Sequence, residues 1–124
     1  MITAFTELVV RQKAHQLMLD AYTFANTLPG EERYNRVSQL KRSASSVSAN
    51  IAEGFGRFHF QENIQFCRQA RGSLEETANH ILAAIDLGQG KNDAGRKLLL
   101  QCEEVRKLLN GYIRSIRETQ KSIK

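Results

Sequence analysis

The sequence predicts an all-α protein, an antiparallel up-down-up-down four-helix bundle, and three observations carry that prediction. Apolar residues recur at alternating steps of three and four in four separate segments, the signature of helices that each bury one stripe. Glycine and proline breakers separate those segments by connections short enough that successive helices must run antiparallel. One proline, no tryptophan and no long β-branched run argue against a sandwich or barrel. With 124 residues, 41% hydrophobic and 25% charged, the chain fits a single domain, 1–124, with one core.

The first helix is expected over roughly 7–28, with Ala14, Leu17, Ala21, Phe24 and Leu28 as its stripe and Pro29-Gly30 as its stop. The second, roughly 33–53, carries Val37, Leu40, Ala44, Val47 and Ile51, and Gly54-Phe55-Gly56-Arg57 reads as its C-terminal cap. The third, roughly 60–87, carries Phe66, Ala70, Leu74, Thr77, Ile81 and Ile85 and stops at Gly88-Gln89-Gly90. The fourth, roughly 92–119, carries Leu98, Cys102, Val105, Leu109, Tyr112 and Ile116; Asn92 or Asp93 is placed to cap it, and its polar end is expected to fray.

One stretch opposes local propensity. Ser43-Ala44-Ser45-Ser46-Val47-Ser48-Ala49 holds four serines in seven residues, poor material for a helix interior. The apolar rhythm runs through it unbroken, so it reads as helix. Its small side chains, like Gly72-Ser73 in the third helix, suit a close helix–helix approach, within the subunit or from another one.

Several chemistries find no support in the pattern. A carboxylate-bridged metal site in a bundle needs paired Glu-x-x-His motifs; this chain offers Glu76 and His80 four apart and no second copy. No nucleophile elbow and no GxxxxGK phosphate loop is present. Cys67 and Cys102 match no metal or redox spacing and read as small buried hydrophobes. The expectation is a non-enzymatic protein with no metal and no cofactor. No stretch approaches the ~20 apolar residues of a membrane span. The N-terminal segment has no export signal, so the expected location is cytoplasmic, with no membrane partner.

Charge is the informative feature. The net charge is +5, yet residues 1–90 hold nine basic and nine acidic side chains, whereas 91–124 hold nine basic and four acidic. At 100° per residue, Arg96, Arg106, Lys107, Arg114, Arg117, Lys121 and Lys124 fall within about 100° of arc on the fourth helix, interrupted by Glu103. Such a stripe suits a phosphate backbone, because each phosphate it neutralises releases counterions. A solvated face is the plain alternative. Arg42, Asn50, Glu53, Arg57, Ser73 and Glu76 read as a hydrogen-bonded polar network between helices rather than a catalytic cluster. Phe55, Phe58 and Phe60, interleaved with Arg57 and His59, suit either packing, at the bundle's end or on another subunit, or stacking of unpaired bases.

Asn50-Ile51-Ala52-Glu53-Gly54, then Gly56-Arg57, Glu62, Phe66 and Ala70-Arg71-Gly72-Ser73-Leu74-Glu75-Glu76, resemble the small four-helix-bundle family of 23S rRNA intervening-sequence proteins. Lys13-Ala14-His15-Gln16-Leu17, Leu28-Pro29, Glu32, Gln39 and Arg42 match the family's first half, so the resemblance spans about 5–116. One departure is Val9-Val10-Arg11, where the family often carries an aromatic. The resemblance implies a bacterial homo-oligomer assembled as a ring-like pentamer. It also implies kinship with the accessory protein of diversity-generating retroelements, a basic pentamer that binds nucleic acid and a reverse transcriptase.

Three functional readings follow. The first is a homo-oligomeric RNA-binding or scaffolding protein using the basic helix. The second is an adaptor whose basic face meets a protein, for example a reverse transcriptase or a ribosome-associated partner. The third is an enzyme or metal protein using Glu53, Glu76 and His80.

Overall fold

The computed structural model describes residues 2–123. It contains α1 (Val9–Ala25), α2 (Arg36–Phe55), α3 (Phe60–Asp86) and α4 (Asn92–Ile123), with single 3-10 turns at Phe5–Glu7 and Gly30–Glu32. The ends differ from the sequence expectation for local reasons. α1 stops at Ala25 because Thr27 and Leu28 donate to the carbonyls of Phe24 and Ala25, tightening the last turn before Pro29. α2 starts at Arg36 because the Gly30–Glu32 turn, closed by Arg33 N–H on the Gly30 carbonyl at 3.1 Å, occupies the expected start. α4 begins with Asn92 already inside, its first helical bond running from Gly95 N–H to the Lys91 carbonyl. It continues past 119 because Glu118, Gln120 and Lys121 are good helix formers.

Each helix packs on the next and α4 closes on α1. Cross-helix pairs give the directions. Gln61 meets Gln120 and Arg71 meets Asn110, so α3 and α4 are antiparallel. Arg42 meets Glu76 and Arg36 meets His80, which makes α2 and α3 antiparallel. Lys13 meets Glu104 and Asp20 meets Gln101, so α1 opposes α4, and α1 must then oppose α2. The bundle is up-down-up-down.

The apolar stripes converge on one core, with Leu17, Leu40, Ile51, Ile64, Leu74, Ile81 and Leu109 among its fully buried side chains. Each contributes about 1.5–3 kcal/mol relative to exposure. Cys67 and Cys102 are buried there as free thiols.

The serine run is helical, and α2 packs more extensively on α3 than any other pair of helices packs. Ser43 and Thr77 are both fully buried, and their hydroxyls pair at 2.9 Å. Ser43 also donates to the Leu40 carbonyl and Thr77 has the Ser73 carbonyl at 2.8 Å, so two buried hydroxyls are satisfied without water. Gly54 lies tight against α3: a Cβ there would lie 2.7 Å from Asn63 Oδ1 and 2.9 Å from Phe66 Cβ.

α3 ends in a Schellman turn. Gly88 N–H bonds the Ile85 carbonyl and Gln89 N–H the Ala84 carbonyl, with Gly88 at φ +70°, a conformation that favours glycine. The turn presents Gln89 to buried Glu32, whose carboxylate accepts from Gln89 Nε2 at 3.0 Å and Asn35 Nδ2 at 2.9 Å. These two amide donors hold its carboxyl below the usual range.

Candidate nucleic-acid interface

The amphipathic α4 buries Leu98, Cys102, Val105, Leu109, Ile113 and Ile116, and this fixes where its cations point. Arg96, Lys107, Arg114, Arg117 and Lys121 are exposed and none makes an ion pair among the described residues. Arg106 is different. Its guanidinium is half-buried and is gripped by Glu75 from α3, through Nε at 2.9 Å and Nη2 at 2.5 Å, and by Glu103 on α4. Hydrogen bonding to Glu75 pushes its pKa still higher, so this charge is spent locking α3 to α4. Lys124 lies outside the described residues.

The helix register adds two cations that the α4 stripe alone does not reveal. Arg71 of α3 donates from Nη1 to Asn110 Oδ1 at 2.9 Å across the α3–α4 seam. One turn back along α3 is exposed Arg68, and one turn forward along antiparallel α4 is Arg114. Neither Arg68 nor Arg71 has an ion pair among the described residues. The seam therefore gathers Arg68, Arg71, Lys107, Arg114, Arg117 and Lys121. Glu75 and Glu103 are engaged by Arg106, and Glu118, exposed one turn after Arg114, is the acid nearest in sequence to these cations. The signal for Arg68 and Arg71 was their spacing of three on a helix adjacent to α4, which gains meaning only once the register is known.

The expected polar network divides. Arg42 bridges to Glu76 at 2.5 Å and to Gln39 at 2.9 Å, tying α2 to α3. Glu76 also lies 3.4 Å from His80 Nε2, and Arg36 reaches His80 Nδ1 at 3.1 Å. At the far end of α2, Arg57 pairs with Glu53 at 2.8 Å and approaches Glu62 at 3.9 Å. Asn50 belongs to neither group: its Nδ2 donates to the Ser46 carbonyl of its own helix. Ser73 contributes its carbonyl, not its hydroxyl. Two separate clusters thus replace the single one expected from helix-wheel proximity.

The remaining candidates sort by burial. Phe55 and Phe60 pack against the core, whereas Phe58 is 94% exposed. Both ring nitrogens of His80 face protein groups, and the described residues hold no cluster of three or more His, Cys, Asp or Glu placed to grip a metal. Burial pushes the Cys67 thiol up to about 11 and the Cys102 thiol up to about 12, so neither is a ready nucleophile. A shallow groove of about 340 Å³ lies between α1 and α4, lined in part by Phe24, Ala94, Leu98 and Lys97. No helix among the described residues is long and apolar enough to cross a membrane.

Comparison with known proteins agrees with this architecture. The fold is similar to a crystal structure at 1.70 Å of a protein with unknown function from the S23 ribosomal protein family of Bacteroides thetaiotaomicron VPI-5482. The TM-score is 0.78 at 22% identity, covering 85% of this chain and 98% of that one. No curated protein matches the chain. The family model described as 23S rRNA-intervening sequence protein matches residues 6–111. With α1 to α3 and the first part of α4 inside that match, the chain belongs to the 23S rRNA-intervening sequence protein family.

Proposed function

We propose that the protein is a non-enzymatic, cytoplasmic RNA-binding or RNA-scaffolding protein that works as a homo-oligomer, a ring-like pentamer, through the α3–α4 seam. The observation that carries this reading is the gathering of six cations without ion-pair partners along one seam: Arg68, Arg71, Lys107, Arg114, Arg117 and Lys121. Charges left unneutralised by their own fold are the ones that displace counterions from a phosphate backbone. A ring would repeat the seam several times, and multivalency raises avidity without any new contact. Gly72 supports the assembly reading: it is exposed in the middle of α3 with open space where a Cβ would sit, a costly choice for a helix that meets only water.

The test is an RNA titration by fluorescence anisotropy on nuclease-treated protein across a salt series. Binding should weaken steeply with salt, with a log–log slope of about −4 if all six cations meet a single strand. Replacing Arg114 and Arg117 together by Glu should abolish it. Affinity unchanged by that double variant refutes the assignment, and sedimentation of the same sample reads the ring size.

A second reading is favoured by exposed Leu82, Leu87 and Leu100, which lie towards the α3–α4 turn. Here the protein is an adaptor that docks a nucleic-acid-processing protein such as a reverse transcriptase. Association that survives nuclease digestion and is lost in Leu100→Glu, in a protein that binds no RNA, identifies this reading.

A further inference from the structure

The α2–α3 junction carries an exposed aromatic pair that packing does not explain. Phe55 and Phe60 turn inward and pack on the core, closing that end of the bundle. Phe58, between them in sequence, is 94% exposed, the highest value for any large hydrophobic side chain described. His59 beside it is also exposed, and the two rings stand edge to face, with centroids 5.1 Å apart and planes at 87°. His59 occupies the N-cap position of α3 in an extended conformation, yet its side chain makes no capping hydrogen bond. Arg57 is committed to Glu53 at 2.8 Å and to the face of Phe66, 4.8 Å from the ring centroid. Apart from the His59 contact, the Phe58 ring is left to solvent.

The position of the pair supplies the second half of the argument. Gln61, in the first turn of α3, bonds Gln120 of α4 at 3.2 Å, so the junction sits at the end of the seam that carries Arg117 and Lys121. With Phe55 and Phe60 packed on the core, the exposed side chains flanking Phe58 in sequence are Arg57, His59, Gln61 and Glu62, a polar setting and not the apolar ring that surrounds a protein-docking anchor. An isolated aromatic face at the end of a row of unpaired cations matches single-stranded nucleic acid, whose bases stack while its phosphates track the charges. A closed duplex offers the same phosphates but keeps its bases stacked, with a face open only at its ends.

We propose that Phe58 and His59 form a base-stacking platform, and that the ligand of the α3–α4 seam is single-stranded RNA, or a junction presenting an unpaired base at this end. The proposal rests on the RNA-binding reading above and names the class of RNA. The chain has no tryptophan, so Phe58→Trp introduces a single indole fluorophore at the platform. Wild-type protein and the Phe58→Ala, His59→Ala and Phe58→Trp variants are titrated with a labelled oligouridylate of about 12 nucleotides and with a blunt RNA duplex of similar length.

Phe58→Ala should weaken single-strand binding roughly 5- to 150-fold and leave duplex binding and the salt slope unchanged, and His59→Ala should act in the same direction. Indole fluorescence of the Phe58→Trp variant should be quenched by the single strand and not by the duplex at equal occupancy. Wild-type binding to neither RNA overturns the underlying reading together with this one. Wild-type binding that Phe58→Ala leaves intact, with the indole of Phe58→Trp unquenched, overturns the platform alone. A drop in oligomer order for Phe58→Ala assigns the ring to a subunit contact and also overturns it.

Discussion

Arg36 on α2 reaches Nδ1 of His80 on α3 at 3.1 Å, and a guanidinium has only N–H groups to offer. Nδ1 must therefore carry a lone pair, which leaves the neutral ring its proton on Nε2, the nitrogen 3.4 Å from Glu76. Nitrogen-15 NMR of the neutral imidazole should show an unprotonated Nδ1. A protonated Nδ1 in the neutral ring would contradict this arrangement.

Gly54 and Gly72 should respond oppositely to alanine. At Gly54 the added methyl meets Asn63 and Phe66 at under 3 Å, so Gly54→Ala must push α2 from α3 and lose about 1–3 kcal/mol in denaturant melts. At Gly72 nothing stands in the way, and Gly72→Ala should stabilise the isolated subunit by about 0.5–1 kcal/mol. If another subunit approaches there, the same variant disrupts the oligomer instead, which sedimentation would reveal.

The buried thiols make stability fall in alkali. An unfolded cysteine ionises near 9, whereas burial holds Cys67 to about 11 and Cys102 to about 12. Between those values the unfolded chain binds fewer protons than the native one, so unfolding grows easier as pH rises above about 9. The double variant Cys67→Ala, Cys102→Ala should start from a lower stability and show a flatter alkaline limb. Native protein at pH 8 should react slowly with a thiol reagent and quickly once unfolded.

Neutralising Glu75 should strengthen RNA binding. Glu75 is the acid through which α3 occupies Arg106, at 2.9 and 2.5 Å. Glu75→Gln releases much of that charge into the seam, and the salt slope for a single strand should steepen by up to about 0.7. Glu75 itself is exposed, and the glutamine amide oxygen can still accept from Arg106, so the melting temperature should hardly move. An unchanged slope would show that Arg106 stays out of reach of the phosphates.

Legibility differed between fold and site because periodicity is a property of one helix at a time. Leu40, Ala44, Val47 and Ile51 marked α2 as helix through its serine run, and all four are buried as the rhythm required. The same rhythm said nothing about which neighbour each flank meets. Arg68 and Arg71 therefore stayed invisible as companions of Arg114 until Arg71 was found on Asn110. Helix-wheel proximity also merged Asn50 with Glu53, although the Asn50 amide turns back to its own backbone. Arg106 counted as one more cation of the stripe, since sequence does not show a carboxylate arriving from another helix.

α4 spans 32 residues and α1 only 17, about 48 Å against 26 Å at 1.5 Å per residue. Lys13 of α1 is alongside Glu104, so the chain runs out of α1 near the middle of α4, and the final turns are flanked chiefly by the start of α3. Amides around Arg117 and Lys121 should consequently exchange with deuterium by local opening, long before those near Leu98 and Val105, whose exchange needs the whole bundle to come apart. A polyanion held by that segment would slow its exchange selectively, so the exchange pattern along α4 reports occupancy residue by residue.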